Sequence, residues 1–297
     1  MKKRIYFGAI LLSVAAIWGS SFVAMKNTLV RLDVISFLGW RFLIATLVLI
    51  AYRPHFYKKL SRQDLLKGII CGFFLGSGYI AQSVGLTHST VSITGFITGL
   101  YIVFTPLFSA PLLKSKVRKI QWVAVAVATL GLALLSINGF ALGFGETIVL
   151  LSAILFAIHI ISLGAWANAI DVFALTVVQL ATCTSLMFLT SIFTGLHTPP
   201  DRGVWEAIVF TALFATALAF IVQTFAQSVM PAITVAVILT MEVPFAALFG
   251  VLFLSDPVTP RIIAGGLLML IGMYVIILKD NAPAGKDPLT VAGSIHD

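Results

Sequence analysis

Ionisable residues interrupt long apolar stretches of this sequence, and their types are those that carry a proton or hold a charged solute. Glu242 lies about 11 residues, or roughly 16 Å, into its stretch, and Arg41 lies about 8 residues, or roughly 12 Å, from the end of another. Ionisable groups inside a membrane are costly, so both are functional candidates. Their similar depths permit a buried ion pair. The structural alternatives are that Arg41 bonds backbone carbonyls and that Glu242 satisfies backbone groups freed by Pro244.

A histidine is the third candidate of this kind. His159 lies in a further apolar stretch and shares one helical face with Ser152, Ser162 and Trp166. His159 and Trp166 are therefore predicted to face a solute cavity, where the imidazole binds substrate or carries a proton. The alternative is a histidine that only bonds a neighbouring helix.

Uncharged polar residues extend the set of cavity candidates. Thr94, Thr98, Tyr101 and Thr105 are spaced at i, i+4, i+7 and i+11, which places them along one face of a helix. We predict that the first three line a cavity, although threonines also bond their own helix backbone.

Three more polar residues need partners in an apolar medium. Tyr79 and Gln82 follow a series of glycines in one stretch, and Gln223 lies near the predicted cytoplasmic end of another. We predict that all three line the same cavity.

Motifs of known enzyme chemistry are missing from the sequence. It contains no phosphate-binding G-x-x-x-x-G-K-[ST] and no zinc-binding H-E-x-x-H. We therefore predict that the protein is not an enzyme, has no catalytic residue or metal site, and needs no cofactor. Cys71 and Cys183 lie in apolar stretches, where a thiol packs as a small apolar group.

The elements that must position these residues are membrane helices. Hydrophobic residues make up 60% of the 297-residue chain, charged residues make up 10%, and the mean hydropathy is +1.07, whereas globular domains carry about 25% charged residues. A helix needs about 20 mostly apolar residues to cross a bilayer. The predicted spans are 5–26, 33–52, 65–85, 90–112, 119–137, 146–166, 172–194, 204–225, 231–253 and 260–278.

Lysine and arginine are distributed unevenly between the two sides of these spans. Of the 19 basic residues, 14 fall on one side, and Arg41 lies within span 2. The other side holds only Lys26, Arg31, Arg202 and Arg261. Because basic loops stay in the cytoplasm, both termini are predicted to be cytoplasmic. The basic residues that give the net charge of +8 are therefore predicted to contact anionic headgroups of the lipid bilayer. No nucleic-acid partner is predicted.

Two pairs of similar segments indicate an internal duplication. Phe104–Ala110 resembles Glu242–Ala247 around a shared proline, and Ala128–Leu134 resembles Leu270–Ile276 around a shared glycine, with nearly the same spacing in both pairs. Two units of five helices follow, and because five is odd, the second unit enters the membrane in the opposite orientation. Inverted repeats are typical of transporters, whose substrate site lies between the repeats near the midplane. Coincidence among apolar residues is the alternative.

The predicted fold is therefore an all-α polytopic membrane protein, with ten transmembrane helices in two inverted five-helix repeats around a central cavity. The first repeat is assigned to residues 1–137 and the second to 138–280. Residues 281–297 have no periodicity and are predicted to form a disordered cytoplasmic tail.

Four motifs, in order, resemble those of the EamA family in the drug/metabolite transporter superfamily. Trp18–Ala24 (WGSSFVA) resembles its "WGxxF" opening, and Trp40–Phe42 resembles its Arg-Phe pair. Met241–Pro244 with Leu254-Ser255-Asp256 is similar to its "EP…LGE" segment, and Gly265–Gly272 resembles its closing glycine-rich helix. The resemblance covers about residues 5–278.

Two departures concern charges at the ends of spans. Leu113–Lys116 stands where many members of the family have an acidic residue, and Asp256 replaces the commoner glutamate. No charge role is therefore carried over to these positions.

The resemblance implies a secondary transporter of the inner membrane that exports small metabolites such as amino acids and opens alternately to the two sides. It also implies a cavity built from spans 1, 3, 4, 6, 8 and 9, and it adds Trp18 and Ser21 to the cavity candidates. Pro106 and Pro244 are the predicted hinges, and Glu242 is the candidate for proton coupling. Arg41 is assigned a structural role.

The predicted function is outward transport of a small uncharged or zwitterionic metabolite, most simply an amino acid, by alternating access. An uncoupled facilitator of the same fold, an exporter of cationic compounds and an intramembrane enzyme are the alternatives. The sequence leaves the substrate, the coupling ion and the oligomeric state open, and a monomer is compatible with it.

Overall fold

A computed structural model describes residues 2–89, 91–113, 117–136, 143–254 and 259–279. Every regular element in these ranges is helical. A 3-10 turn, Phe56–Lys59, precedes the third helix, and a π-helical segment, Leu213–Leu218, joins the ninth helix to the tenth. The α-helices of these ranges are α1 (Lys2–Leu29), α2 (Val34–Tyr52), α3 (Arg62–His88), α4 (Val91–Gly99), α5 (Tyr101–Leu113), α6 (Lys119–Ser136), α7 (Phe144–Trp166), α8 (Val172–Thr194), α9 (Arg202–Ala212), α10 (Ala219–Val229), α11 (Ala232–Leu239), α12 (Glu242–Leu254) and α13 (Pro260–Lys279).

The described helices have the character of membrane spans. Eight apolar stretches are long enough to cross a bilayer, and they correspond to predicted spans 1–4 and 6–9. Predicted spans 5 and 10 contain shorter apolar helices, Lys119–Leu134 and Ile263–Leu278. Large apolar side chains such as Leu47, Phe193 and Phe253 face outwards, as expected where the surrounding medium is lipid. The all-helical polytopic fold is confirmed, whereas the count of ten crossings stays a prediction.

Several sequence-based expectations concern residues outside the described ranges. They are the basic segment 114–116, the acidic residue Asp256, the junction between the two repeats at residues 137 and 138, and the predicted disordered tail 281–297. The bounds of the repeats and the cytoplasmic position of both termini stay predictions.

Spans 4 and 9 are each interrupted near their middle. Span 9 breaks at Thr240 and Met241, because Pro244 has no N–H to give to the carbonyl of Thr240. The Val243 N–H bonds that carbonyl instead, at 3.1 Å. Span 4 breaks at Leu100, six residues before the predicted hinge Pro106, which lies within α5. The interruption therefore differs from the sequence prediction in span 4, where the helix continues through the proline.

Reciprocal contacts show that the two halves of the chain are related by an approximate two-fold axis. Thr46 on α2 and Thr184 on α8 occupy equivalent positions of the two halves, and their hydroxyl oxygens lie 3.1 Å from each other. On α6, a Cβ at Gly131 would lie 2.6 Å from the Gly265 carbonyl of α13, and one at Gly272 would lie 2.9 Å from the Ala124 carbonyl of α6. Equivalent residues exchange equivalent contacts, which is the property of a two-fold interface.

The ends of α2 and α8 are tied together in the same reciprocal way. Asp33 caps α2 by accepting the Ser36 N–H, and its other carboxylate oxygen lies 2.9 Å from Nδ1 of His197, just after α8. Asp171 caps α8, and its carboxylate accepts two hydrogen bonds of 3.1 Å from Arg53, just after α2. Partial burial acts to raise the pKa of Asp33, but hydrogen bonds from Ser36 and His197 hold it below its ordinary value.

Candidate functional site

A cavity lies between the two halves of the chain, beside both helix breaks. Its volume, taken as the space open to the centre of a water molecule, is about 50 Å³, which is enough to hold a few water molecules. The first half contributes residues of α1, α3, α4 and α5, and the second half contributes residues of α7, α10, α11 and α12. The lining consists of Trp18, Ser21, Phe22, Met25, Leu75, Tyr79, Gln82, Thr98, Tyr101, Phe156, His159, Ile160, Phe220, Gln223, Leu239 and Glu242.

Most of the predicted cavity residues are in this lining. The structure brings together Trp18, Ser21, Tyr79, Gln82, Thr98, Tyr101, His159, Gln223 and Glu242. Gln223, which the sequence places near the cytoplasmic end of span 8, instead faces this central cavity because α10 continues to Val229.

Two predicted residues lie elsewhere. Thr94 is fully buried one helical turn before Thr98, and its hydroxyl has no hydrogen-bond partner in the part of the chain that the structure describes. Trp166 packs on a separate apolar cluster that includes Cys71 and Leu163. Trp166 lies seven residues from His159, about 10 Å along the helix, so a shared face does not bring both residues to one cavity.

Glu242 is the first residue of α12, immediately after the break in span 9. Its side chain is 5% exposed and lines the cavity. A carboxylate in the first turn of a helix is stabilised by the N-terminal end of the helix dipole. The ion pairs between described residues do not include Glu242, so its carboxyl group is directed at the cavity without a basic partner among them.

Arg41 does not form the ion pair with Glu242 that their depths permit. Its Nε donates to Thr216 Oγ1 at 2.6 Å, and its Nη2 donates to the Ala215 carbonyl at 3.2 Å and to the Tyr79 hydroxyl at 3.4 Å. The guanidinium carbon also lies 4.8 Å from the centre of the Tyr79 ring. The fully buried guanidinium is thus held by neutral groups and fixes the position of the Tyr79 ring, which is a structural contribution to the cavity wall.

The π-helical segment of span 8 supplies the carbonyl that Arg41 binds. The Ala219 N–H bonds the carbonyls of Phe214 and Thr216 instead of that of Ala215. The Ala215 carbonyl accepts hydrogen bonds from Arg41 and, at 2.8 Å, from the indole N–H of Trp18. π-helical turns are frequent at functional sites, and here the turn connects α1, α2 and span 8 at the edge of the cavity. The sequence contains no evident signal for it.

His159 has one assigned partner. Its Nε2 lies 2.8 Å from Oε1 of Gln179, whose amide nitrogen donates to the Leu175 carbonyl at 3.3 Å. Because an amide oxygen only accepts, Nε2 carries the proton of the neutral ring, and Nδ1 is then an acceptor. Gln179 was missed by sequence reasoning as a partner of the cavity.

The side-chain amides of the glutamines on the cavity wall differ in their hydrogen bonds. The Gln82 amide nitrogen donates to Thr98 Oγ1 at 3.2 Å. The Gln223 nitrogen donates to Gln227, which in turn donates to the Ile160 carbonyl at 2.6 Å. Among the described residues, nothing bonds Oε1 of Gln223. A solute with an N–H or O–H group would satisfy that oxygen.

Aromatic rings form much of the remaining wall. The ring of Trp18 lies 5.5 Å from that of Phe220, and the ring of Tyr79 lies 5.3 Å from that of Phe156. The ring of His159 lies 6.2 Å from that of Phe220. Sequence reasoning missed Phe156 and Phe220, yet they occupy in the second half the positions of Trp18 and Tyr79 in the first. The spacing of the repeated proline and glycine segments is the signal that would have identified them.

Comparison with known proteins relates the whole membrane part to transporters. A profile of the EamA-like transporter family matches residues 6–137 and 143–278. An uncharacterized transporter of Archaeoglobus fulgidus is 30% identical over 278 residues, which cover 93% of this chain and 87% of that protein. The uncharacterized transporter YoaV of Bacillus subtilis is 25% identical, with 89% and 94% covered.

Two further similarities concern location and fold. The uncharacterized inner membrane transporter YedA of Escherichia coli is 27% identical over 232 residues, which cover 72% of this chain and 71% of that protein. A crystal structure aligns with a TM-score of 0.73 over 98% of this chain and 99% of the other, at 15% identity, and so supports the fold alone. The chain is a multi-pass membrane protein and a member of the EamA-like transporter family.

Proposed function

We propose that this transporter carries small metabolites with an amino group, amino acids among them, outwards across the inner membrane by alternating access. The observation that carries the proposal is the cavity between the inverted halves, in which one carboxyl group, that of Glu242, faces aromatic rings and amides. An amino group has the charge to meet this carboxyl group and the N–H donors to satisfy Oε1 of Gln223.

Glu242 also suits coupling to protons. A carboxyl group in a cavity of low polarity is costly to leave charged and unpaired. When a substrate with a positively charged group leaves the cavity, Glu242 would therefore take up a proton. His159, with Nδ1 as an acceptor, is the second group on the wall that can take part.

The helix breaks provide a means of opening. The cavity lies beside the breaks at Leu100 and at Thr240–Met241, which sit in equivalent spans of the two halves. Small rotations at these points would move the ends of spans 4 and 9 without disturbing the packed pairs α6–α13 and α2–α8. Rocking of one half against the other is how many inverted-repeat transporters expose one site to both sides.

The test is transport by the purified protein in proteoliposomes with an imposed pH gradient, using labelled amino acids and amines and protein-free liposomes as the control. Accumulation above the external concentration is expected, and it should collapse when a protonophore removes the gradient. Equilibration without accumulation would identify a facilitator. Absence of any protein-dependent flux across the panel would contradict the proposed function.

A further inference from the structure

The charges that face the cavity are of one sign. Glu242 is the acidic residue of the lining, and no lysine or arginine is among the described residues that form it. An amino acid brings a carboxylate as well as an ammonium group, and a buried carboxylate without a cationic or hydrogen-bonding partner is costly. A site for amino acids would therefore need a group that binds the substrate carboxylate.

Arg41 is not available for that role. The rings of Tyr79 and Phe42 cover its guanidinium, at 4.8 Å and 5.7 Å from their centres. Its Nε and Nη2 donate to Thr216, the Ala215 carbonyl and Tyr79, and its Nη1 lies 3.6 Å from the sulfur of Met25. A substrate carboxylate would have to displace these groups and the Tyr79 ring, because Arg41 itself is fully buried.

The N-terminus of α5 is the other positive feature beside the cavity, and it is also a poor seat for a carboxylate. The N–H groups of Val103 and Phe104 both bond the Leu100 carbonyl, at 2.9 Å and 3.2 Å. Ile102 is fully buried. Tyr101, the first residue of α5, lines the cavity together with Glu242. When Glu242 is charged beside a substrate ammonium group, a second negative group here would be repelled.

An ammonium group, by contrast, meets complementary chemistry. Trp18 belongs to the same lining as Glu242, and an indole ring attracts cations at short range. The apolar side chains Phe156, Phe220 and Leu239 provide the surface for the body of the molecule. One carboxylate with several rings is the composition of a site for an organic monocation.

We propose that the cavity recognises the ammonium group of its substrate and has no site for a carboxylate. This rests on the proposed transport function and narrows its substrate class. A primary amine with an aromatic or apolar body binds more tightly than the amino acid of the same skeleton, and an amino acid binds through its amino group alone.

Three probes that share a phenethyl skeleton and differ in their polar groups test the proposal: phenethylamine, L-phenylalanine and 2-phenylethanol. Their affinities for the full-length protein in lipid nanodiscs would be measured by calorimetry at pH 7. Phenethylamine is expected to bind at least about tenfold more tightly than L-phenylalanine, because the carboxylate loses its hydration without gaining a partner. It should also bind more tightly than 2-phenylethanol, which has no charge to place beside Glu242.

Two variants of Glu242 and one control variant test whether this residue causes the preference for the amine. Glu242→Gln should weaken phenethylamine binding about 30-fold or more and leave 2-phenylethanol unchanged. Glu242→Asp keeps the charge and should keep the order of the three probes. Glu206→Gln is the matched control, since Glu206 is exposed on α9 and pairs with Arg202 at 2.7 Å, and it should alter none of the affinities.

The outcomes separate this proposal from the transport function. L-phenylalanine binding as tightly as phenethylamine would overturn amine selection, while accumulation of amino acids in proteoliposomes would leave the transporter in place. Failure of all three probes to bind would also overturn it. Unchanged amine affinity in Glu242→Gln would show that the ammonium group is held elsewhere.

Discussion

The broken spans of the two halves, α4–α5 and α11–α12, have the same construction but present different chemistry to the cavity. Tyr101 is the first residue after the first break, and Glu242 is the first after the second. Thr98 and Leu239 line the cavity just before the two breaks. Both halves thus have a broken span beside the cavity, whereas among the described residues at the breaks the carboxyl group belongs to the second half. A nearly symmetric scaffold holds an asymmetric charge.

The rest of the lining follows the same rule. Equivalent positions contribute side chains to the wall from both halves, but with changed polarity. The pairs, which share the spacing of the repeated proline or glycine segments, are Trp18 and Phe156, Ser21 and His159, Phe22 and Ile160, Tyr79 and Phe220, and Gln82 and Gln223. Duplication explains where the cavity is, and divergence between the copies explains what it can bind.

The largest difference between the halves is expected at Glu242 and Tyr101, the residues that follow the two breaks. Glu242→Gln should reduce proton-driven accumulation in proteoliposomes about 30-fold or more, because the desolvated ammonium group of the substrate loses its charged partner. Tyr101→Phe, the change at the residue after the first break, should keep transport within about threefold, because the Tyr101 hydroxyl has no hydrogen-bond partner among the described residues. Equal losses in the two variants would remove the distinction between the halves.

Arg41 and Gln179 form a second pair, at equivalent positions of α2 and α8. Arg41→Gln should lower the free energy of unfolding by about 2–4 kcal/mol, because several buried hydrogen bonds to a charged group are lost. Gln179→Leu removes the bond to His159 and should cost about 1–2 kcal/mol. Unfolding in mixed micelles by increasing sodium dodecyl sulfate measures both, and an Arg41→Gln protein as stable as the wild type would contradict the structural role of the guanidinium.

The two lining amides give a smaller contrast. Gln82 is bonded to Thr98, whereas Oε1 of Gln223 has no partner among the described residues. Gln223→Leu should weaken substrate binding about fivefold, since one hydrogen bond contributes about 1 kcal/mol. Gln82→Leu should weaken it about twofold or less. The ratio of dissociation constants for phenethylamine measures this, and a larger effect of Gln82→Leu would reverse the assignment.

The smallest expected effect concerns the ties at the ends of α2 and α8. The pKa of Asp33 lies below its ordinary value of 3.8, so its contribution to stability is complete above about pH 5 and is lost as the pH falls through the folded-state pKa. Asp33→Asn should therefore remove up to about 1 kcal/mol at pH 6 and almost nothing at pH 3, because the pair with His197 is partly exposed. Thermal unfolding at the two pH values measures the difference, and an equal loss at both would contradict it.

Much of this architecture follows from sequence because lipid imposes a simple rule. Apolar segments of sufficient length must be helices, since no other open structure satisfies its backbone in a bilayer. The predicted duplication rested on two proline segments and two glycine segments, and the contacts of Gly131 and Gly272 at equivalent positions agree with it. Nine of the residues predicted for the cavity are in the lining. Seven were chosen because polar residues are conspicuous against an apolar background, and Trp18 and Ser21 were chosen from the family resemblance.

The sequence could not show how far along a helix each polar residue meets the cavity, or which groups each residue bonds. Trp166 shares a face with His159 but lies too far along α7, and Thr94 is outside the lining although Thr98, one turn later, belongs to it. Arg41 and Glu242 have matching depths, yet the π-helical segment offers Arg41 a carbonyl that no sequence pattern reveals. Periodicity assigns faces of a helix, and the packing of other helices decides which part of a face meets the cavity.

Under the proposed function, one cavity built from two inverted halves serves both faces of the membrane. The most direct test is a cysteine at Ser21, in a protein with Cys71→Ala and Cys183→Ala, reacted with a membrane-impermeant thiol reagent in vesicles of known orientation. Modification is expected from either face, with protection by bound phenethylamine on both. Modification from one face only under all conditions, or from neither, would contradict alternating exposure of this cavity.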